Sequence, residues 1–315
     1  MFCIGIDLGG TNIAVGIVDE NGKILKKAST PTPSLTDYKK VVECMAEFSK
    51  KLVIDSGYQF SDIETVGIGA PGSIDYKNKA VASSNNLKMN NAPIVKEFQK
   101  YWDIPIVLEN DANAAAYGEY IINGNNAEVF IAITLGTGVG GGVILNGEIF
   151  KGHNGAGAEL GHMVIVTNGE PCTCGRSGCW ESYASATALI RQTKEAIKKH
   201  PESLMADFAK KYGKVIGKVA VVAAKQGDDA GNAVVKQYIC YVAEGIVNIV
   251  NIFQPNKIVI GGGISNEGEY LLSPILEHIN KYDYNRYFNR TQIEVATLLN
   301  DAGIVGAAFA AKNFR

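Results

Sequence analysis

The sequence predicts an α/β protein of two similar lobes, and three observations support that prediction. The chain has 315 residues, which is more than one core of ordinary size can hold, so two domains are expected. Apolar segments with the spacing of strands and of helices alternate along it. A strand–glycine–strand pattern at the beginning of the chain recurs after residue 128 with its glycines in the same order.

The recurring pattern consists of an apolar strand, a glycine turn, a second strand and an Asn-Gly hairpin signal. These segments are 2–8, 9–12, 13–18 and 21–22 in the first copy, and 129–135, 136–138, 142–145 and 146–147 in the second. The second copy places the lobe boundary near Glu119. We therefore expect an N-terminal lobe of residues 1–118 plus 299–315 and a C-terminal lobe of residues 119–298.

The remaining elements follow from apolar periodicity and from residues that begin or end helices. Helical spacing predicts a helix over 38–52, for which Ser34 and Asp37 resemble a capping box. Pro255 ends a long amphipathic helix predicted at 234–253. Further strands are predicted at 66–69, 104–108 and 257–260, and further helices at 112–122 and 302–311.

Composition and charge argue against some classes of partner. The formal net charge is −2 and no cluster of Lys and Arg stands out, which disfavours nucleic acid and anionic membranes. We expect no apolar run long enough to cross a bilayer, and the first ten residues lack the basic region of a signal peptide. The expected location is cytoplasmic.

The two glycine turns are suited to binding phosphate. Glycine lets backbone N–H groups approach phosphate oxygens, and a neighbouring threonine adds a hydroxyl donor. The turns are Gly9-Gly10-Thr11-Asn12 and Gly136-Thr137-Gly138. Asp7, at the end of the first strand, could hold Mg²⁺ through water. One such turn alone is equally compatible with a simple tight turn, but two in similar lobes would place a nucleotide between them.

Two other nucleotide-binding patterns are excluded. Gly136, Gly138 and Gly141 satisfy G-x-G-x-x-G, but a dinucleotide fingerprint must open a helix. Here the chain from Gly140 to Leu145 is predicted to continue as a strand. No G-x-x-x-x-G-K-[ST] sequence occurs, so the chain is not a P-loop protein.

An acidic segment follows the strand predicted at 104–108. Glu109, Asn110 and Asp111 lie where this strand gives way to a helix, which is where open α/β sheets bind ligands. Asp111 is a candidate general base, because phosphoryl transfer needs a group that aligns the attacking hydroxyl and accepts its proton. The local alternative is an aspartate that caps the following helix.

One histidine and three closely spaced cysteines predict a structural zinc site. Together they provide one imidazole and three thiolates, which form a closed tetrahedral set. The ligands are His162, Cys172, Cys174 and Cys179. Glu159 and Glu181 flank them, and carboxylates fixed there are suited to accepting hydrogen bonds from the hydroxyls of a sugar.

Six motifs in this order resemble those of the ROK family, which comprises bacterial repressors, open-reading-frame proteins and sugar kinases. The motifs are Asp7-Leu-Gly-Gly-Thr-Asn12, Gly67-Ile-Gly-Ala-Pro-Gly72, Glu109-Asn-Asp-Ala-Asn113, Leu135-Gly-Thr-Gly-Val-Gly-Gly-Gly142, Glu159-Leu-Gly-His162 and Cys172-x-Cys-Gly-x-x-Gly-Cys179-x-Glu181. The resemblance spans nearly the whole chain. The segment 179–187 is most similar to the glucokinases of that family.

The resemblance implies a two-domain actin-like ATPase (ribonuclease H-like) fold and a homodimer that forms through the C-terminal lobe. It implies ATP with Mg²⁺, glucose as the favoured hexose, structural Zn²⁺ on the four ligands named above, and Asp111 as the general base. The implied sugar contacts are Asn110, Asp111, Glu159, His162 and Glu181, with Gly72 and Asn86 as further candidates. Gly262 and Gly263 would border the adenine.

Two alternatives to a glucokinase follow from the same residues. A kinase for N-acetylmannosamine, fructose or allose would share every catalytic residue. A sugar-sensing regulator without catalysis is disfavoured, because Asp7 and Asp111 are both present. Asp7 is also only seven residues from the start, so we expect no room for the helix-turn-helix domain of the family's repressors.

Overall fold

The computed structural model describes residues 1–33, 37–124, 126–284 and 287–312, which divide between two compact units. Unit 1 comprises Met1–Ala132, Gly141–Ala158 and Thr297–Arg315, and unit 2 comprises Ile133–Gly140 and Glu159–Ala296. The lobe boundaries derived from the sequence stay a prediction. Relative to them, unit 1 also contains 119–132, 141–158 and 297–298.

The strands and helices alternate along the chain as the sequence predicts. The strands are β1 Phe2–Leu8, β2 Asn12–Val18, β3 Ile24–Pro31, β4 Ile63–Ala70, β5 Ser73–Asp75, β6 Ala80–Ser84, β7 Met89–Ala92, β8 Ile106–Asn110, β9 Val129–Leu135, β10 Val139–Leu145, β11 Glu148–Ile149, β12 Lys257–Gly261 and β13 Gln292–Val295. The helices are α1 Tyr38–Asp55, α2 Ile94–Phe98, α3 Asp111–Asn123, α4 Glu181–Ala184, α5 Ala186–Lys199, α6 Leu204–Lys211, α7 Lys218–Lys225, α8 Asp229–Phe253, α9 Glu269–Tyr282 and α10 Ala302–Lys312.

Two five-stranded sheets have equivalent strand orders, β3-β2-β1-β4-β8 and β11-β10-β9-β12-β13. In the first, β2 pairs antiparallel with both β1 and β3, whereas β1, β4 and β8 are parallel. In the second, β10 and β11 are antiparallel and β12 and β13 are parallel. This correspondence confirms the internal repeat. A smaller sheet contains β5, β6 and β7.

One predicted strand is displaced in the structure. The sequence placed it at 104–108, whereas β8 covers Ile106–Asn110. Pro105 has no N–H to give to a ladder, so regular pairing begins after it. At the other end β4 continues to Ala70, which pairs with Asn110 and extends β8 by two residues. This shift places Glu109 and Asn110 on the strand itself, and Asp111 begins α3 directly after it.

The core of unit 1 includes α10, which packs against α3, β1 and β4. Almost all of its residues are buried. Gly5 and Gly67 allow the close approach, because a Cβ on them would lie 1.8 Å from the carbonyl oxygen of Ile304 and 1.7 Å from that of Ala307. The small-residue helix predicted at 302–311 is therefore confirmed, and it supports the strands that carry the acidic residues.

The helix ends show how local side chains set element boundaries. The side chain of Asp37 accepts a hydrogen bond from the N–H of Lys39 and caps α1. Ser34, the other residue of the predicted capping box, lies outside the described residues. Asp228 caps α8 in the same way, so this helix begins five residues before the predicted start at 234.

Helix α8 corrects one expectation. Judged by length and composition, it is long and apolar enough to cross a membrane, whereas no such run was expected from the sequence. However, 61% of its most apolar 18-residue window is buried inside the protein. That degree of burial is typical of a core helix, and length and composition alone are weak evidence for a membrane span.

Candidate active site

Asp7 and Asp111 lie at the carboxyl ends of parallel strands in unit 1. The register places Asp7 of β1 opposite Gly69 of β4, and Gly69 opposite Glu109 of β8. Asp111 begins α3 two residues after Glu109. The carboxyl ends of parallel strands are where open α/β sheets bind ligands. The topology therefore brings the predicted magnesium ligand and the predicted base to one edge of the sheet.

Burial perturbs the ionisation of both carboxyl groups. It raises the pKa of Asp7 to about 6, with a further contribution from the charge of Asp111. Burial also raises the pKa of Asp111, against the opposing effect of the Ala112 N–H, which donates to its Oδ1 at 2.9 Å. Half-buried carboxyl groups with raised pKa values at a strand edge are typical of a site that binds a cation or moves a proton.

Asn110 provides the cap of α3. Its side-chain oxygen accepts a hydrogen bond from the N–H of Asn113 at 3.0 Å, and its amide group donates to the carbonyl oxygen of Gly72 at 3.1 Å. Asp111 is the first residue of the helix, so the alternative that it is the helix cap is wrong. Its assignment as the general base stays a prediction.

The first glycine turn connects β1 and β2. The N–H of Gly9 donates to the carbonyl oxygen of Asn12 at 2.9 Å, and the hydroxyl of Thr32 donates to the carbonyl oxygen of Gly9 at 2.7 Å. A Cβ on Gly10 would lie 3.2 Å from the carbonyl oxygen of Asn86. The predicted phosphate turn and one predicted sugar-side residue are thus neighbours in unit 1.

The second glycine turn lies against Glu181 in unit 2. The N–H of Gly136 donates to the carbonyl oxygen of Gly138 at 3.0 Å. A Cβ on Gly138 would lie 2.1 Å from Oε2 of Glu181, and this oxygen accepts a hydrogen bond from the N–H of Val139 at 3.0 Å. After the turn the chain continues as β10, which confirms that G-x-G-x-x-G does not open a helix here.

Gly262 and Gly263 follow β12 in the same unit. Gly262 has φ = +90°, and a Cβ there would lie 2.4 Å from the carbonyl oxygen of Leu135, the residue before the second turn. Gly263 is exposed. Of the two residues predicted to border the adenine, at least Gly262 therefore lies beside the second glycine turn.

The predicted zinc ligands converge. Sγ of Cys172 lies 3.6 Å from Nδ1 of His162, and Sγ of Cys174 lies 3.6 Å from Sγ of Cys179. All four ligand atoms lie within 4.8 Å of one another. Tetrahedral Zn²⁺, with Zn–S of about 2.3 Å and Zn–N of about 2.0 Å, has ligand–ligand separations of about 3.5–3.8 Å. The donor set and its spacing are compatible with structural zinc.

The four ligands differ in their surroundings. Cys179 is fully buried, and burial raises the pKa of its thiol to about 12. Cys174 is exposed, and a hydrogen bond from the backbone of Arg176 lowers the pKa of its thiol. Since a metal binds the thiolate, binding at this cluster must release protons.

A buried network that the sequence analysis missed supports the acidic segment. Glu109 is 1% exposed and its carboxylate accepts hydrogen bonds from the Tyr76 hydroxyl, from Asn110 N at 2.9 Å and from Asn113 Nδ2 at 3.2 Å. Lys151 forms an ion pair with Glu109 at 2.8 Å. Its ammonium also lies 4.1 Å from the centre of the Tyr76 ring. The contacts link the strand end before Asp111 to the loop that follows β11.

A second missed residue is Gly303, in the first turn of α10. A Cβ on this residue would lie 3.0 Å from Cγ of Asp7. Glycine therefore admits the Asp7 carboxyl group beside a helix N-terminus, where a negative charge is favoured. Only the tertiary packing of α10 against β1 reveals this contact, since the two residues are almost 300 positions apart.

The predicted sugar contacts are divided between the units. Unit 1 contains Gly72, Asn86, Asn110 and Asp111, and unit 2 contains Glu159, His162 and Glu181. Within unit 2, Glu159 is exposed, and its carbonyl oxygen accepts a hydrogen bond from the N–H of His162 at 3.0 Å. Their role in sugar binding stays a prediction.

The repeated sheet, its glycine turns and its acidic strand ends define a two-lobed protein with the actin-like ATPase fold, which solved sugar kinases share. The chain belongs to the ROK family, whose model matches residues 3–313. It is 39% identical over 307 residues to a glucokinase of Thermotoga maritima, covering 97% of this chain and 95% of that protein.

Two further relatives show the range of the family. A crystal structure of a ROK family glucokinase from Streptomyces griseus, in complex with glucose and AMPPNP, is 35% identical with a TM-score of 0.82 and covers 99% of both chains. A xylose repressor of Caldicellulosiruptor bescii is 30% identical over 96% of this chain and 76% of its own length. Family membership alone therefore does not separate kinases from repressors.

Proposed function

We propose that the chain is an ATP-dependent glucokinase that transfers the γ-phosphoryl group of ATP to the 6-hydroxyl group of D-glucose. The observation that carries the proposal is the pair of half-buried carboxyl groups, Asp7 and Asp111, at one strand edge beside a glycine turn. The 39% identity to a glucokinase and the likeness to a glucokinase solved with glucose and AMPPNP support this choice.

Asp111 would act as the general base. Its carboxylate would align the sugar hydroxyl and accept its proton as the oxygen attacks phosphorus. Burial raises the pKa of Asp111, which makes its carboxylate a stronger base than an exposed aspartate. The cap that Asn110 provides to α3 and the buried network of Glu109 hold the residues around Asp111 in place.

The sugar would be bound by polar side chains of the predicted site residues. Asn110, Glu159 and Glu181 would hydrogen-bond sugar hydroxyls. Nδ1 of His162 faces the thiols, so Nε2 would be the nitrogen that contacts the sugar. Gly72 and Asn86 would also lie beside the sugar.

The nucleotide would bind at the two glycine turns. The phosphate contacts would be Gly9, Gly10, Thr11 and Asn12 in the first turn and Gly136, Thr137 and Gly138 in the second, with Gly262 and Gly263 near the adenine. Asp7 fits a Mg²⁺ ligand, because it is a half-buried carboxylate at the end of β1, close enough to Asp111 for the charge of that residue to raise its pKa. A bound divalent cation neutralises charge on the transferred phosphoryl group.

Structural zinc would be held by His162, Cys172, Cys174 and Cys179. Its part would be to fix the loop that carries Glu159 and Glu181. We further propose that the protein is cytoplasmic and forms a homodimer.

The test is a coupled assay with ATP, Mg²⁺ and a panel of hexoses. We expect the highest kcat/KM for glucose, with N-acetylmannosamine, fructose and allose well below it. A clear preference for one of these sugars would make the chain a different hexose kinase. Absence of turnover on every sugar, in protein that binds glucose, would indicate a sugar-sensing regulator.

A further inference from the structure

The second glycine turn is held from one side by the segment Glu181–Thr187, which contains α4 and the start of α5. The N–H of Ala186 donates to the carbonyl oxygen of Gly136 at 2.8 Å. The hydroxyl of Thr187 donates to the carbonyl oxygen of Thr137 at 2.7 Å. Two consecutive carbonyl groups of the turn therefore point toward this segment.

The direction of these carbonyl groups sets the direction of the N–H groups that follow them. The peptide bonds are trans among the described residues, and in a trans peptide the C=O and N–H bonds point in opposite directions. The N–H groups of Thr137 and Gly138 consequently point away from the segment. Such consecutive N–H groups are the donors that a glycine turn offers to phosphate.

The N–H group of Val139, the next residue after the turn, points in the opposite direction to those of Thr137 and Gly138. It is directed toward the segment Glu181–Thr187 and donates to Oε2 of Glu181 at 3.0 Å. One face of the turn is thus fixed by three hydrogen bonds from or to residues of Glu181–Thr187, and the opposite face carries the donors of Thr137 and Gly138.

The segment has anchors of its own. Trp180, which directly precedes it, is fully buried and its indole N–H donates to the carbonyl oxygen of Tyr241 at 2.8 Å. Its backbone N–H donates to the carbonyl oxygen of Met163 at 2.7 Å. A Cβ on Gly245 of α8 would lie 2.0 Å from the Trp180 ring. The segment is therefore held against α8 by contacts that do not involve the turn.

We propose that Thr187 is a positioning residue for nucleotide phosphates. Its hydroxyl keeps the Thr137 carbonyl turned toward α5, which keeps the Gly138 N–H directed at the ligand. The inference rests on the proposed function, because it requires a nucleotide at this turn. It also gives a physical role to the segment 179–187, whose sequence most resembles the glucokinases.

The test compares Thr187→Val with Thr187→Ser and with Thr193→Val. Valine keeps the shape of threonine and removes the donor, so Thr187→Val should weaken binding of AMPPNP with Mg²⁺ about threefold to tenfold, with the glucose Kd unchanged. Thr187→Ser retains the hydroxyl and should restore binding. Thr193 lies on the same helix and donates to the Leu189 carbonyl at 2.7 Å, so Thr193→Val should leave nucleotide affinity unchanged.

Calorimetry on the full chain gives both dissociation constants, and a thermal melt checks the fold of each variant. Wild-type affinity in Thr187→Val would overturn the positioning role and leave the proposed function intact. An equal loss in Thr187→Val and Thr193→Val would assign the effect to α5 as a whole and overturn it too. A wild-type protein that binds no adenine nucleotide would overturn the proposed function and this inference together.

Discussion

Asp111 occupies the first position of a helix without serving as its cap. Asn110 accepts the capping hydrogen bond from Asn113 N, so the Asp111 carboxylate is not required as the cap of α3. Burial raises its pKa, and the buried Glu109 network fixes the backbone that precedes it.

Replacing Asp111 tests its assignment as the base. Asp111→Ala should lower kcat by about 10²–10⁴, because it removes the group that accepts the hydroxyl proton. The variant should still fold and bind glucose. Steady-state kinetics and calorimetry measure these effects, with the exposed Asp103→Ala as the control. Near-normal kcat in Asp111→Ala would remove this residue from the role.

The raised pKa of Asp7 predicts that the stability of the ligand-free protein depends on pH. Its pKa is raised from 3.8 to about 6 by burial, so the folded state binds more protons than the unfolded state between these values. The stability that this group contributes is fully present below pH 3.8 and is lost as the pH rises through about 6. The loss corresponds to roughly 3 kcal/mol of unfolding free energy.

Asp7→Asn should therefore stabilise the ligand-free protein at pH 8 by about 2–3 kcal/mol and much less at pH 4. The same change should reduce Mg²⁺-dependent activity. Urea unfolding at both pH values measures the difference, and Asp55→Asn, at an exposed position, serves as the control. Equal effects of Asp7→Asn at pH 4 and pH 8 would contradict the argument.

At the scale of elements, a short irregular loop carries four predicted metal ligands and leads directly into α4. Gly175 and Gly178 have φ values of +89° and +86°, which lets the chain turn tightly between the cysteines. The loop has little regular structure of its own, with isolated bridges from Val164 to Cys179 and from Pro171 to Ser177. A metal would therefore supply much of its rigidity.

Cys174→Ser tests the metal site at this element. The change should release about one zinc per chain, lower the melting temperature and weaken glucose binding, because the loop also carries Glu159 and Glu181. Metal analysis by mass spectrometry and a thermal melt measure the outcome. Cys44→Ser, outside the cluster, should keep the metal. Wild-type protein purified without zinc would contradict the assignment.

At the scale of the molecule, two sheets of equivalent strand order each present a glycine turn at the end of their first strand. The turn predicted to bind phosphate is thus present twice, whereas the half-buried acidic pair belongs to unit 1 and the cysteine cluster to unit 2. The repeat explains why nucleotide-type turns occur in both units and catalytic carboxylates are proposed in one.

The proposed homodimer is tested by the mass of the protein in solution. We expect twice the chain mass of 33.7 kDa by sedimentation equilibrium at micromolar concentration. This expectation comes from the resemblance to the ROK family, which implies a homodimer. A single species at the chain mass over that concentration range would contradict the proposal.

The sequence by itself determined the fold class, the internal repeat and the ligands that are close together along the chain. Strand β9 at Val129–Leu135 and helix α10 were predicted within one residue, because each is a nearly continuous run of apolar or small residues and the structure buries most of them. The four cysteine and histidine ligands were predicted because their spacing allows one tetrahedral set without knowledge of distant contacts.

Only the tertiary structure decided the contacts between distant segments. Nothing near Glu109 in the sequence indicates that Tyr76 and Lys151 enclose its carboxylate. The close contact between Gly303 and Asp7 likewise depends on the packing of α10 against β1. Sequence patterns report how a residue relates to its chain neighbours, whereas pKa values and buried hydrogen bonds depend on whichever side chains the fold brings together.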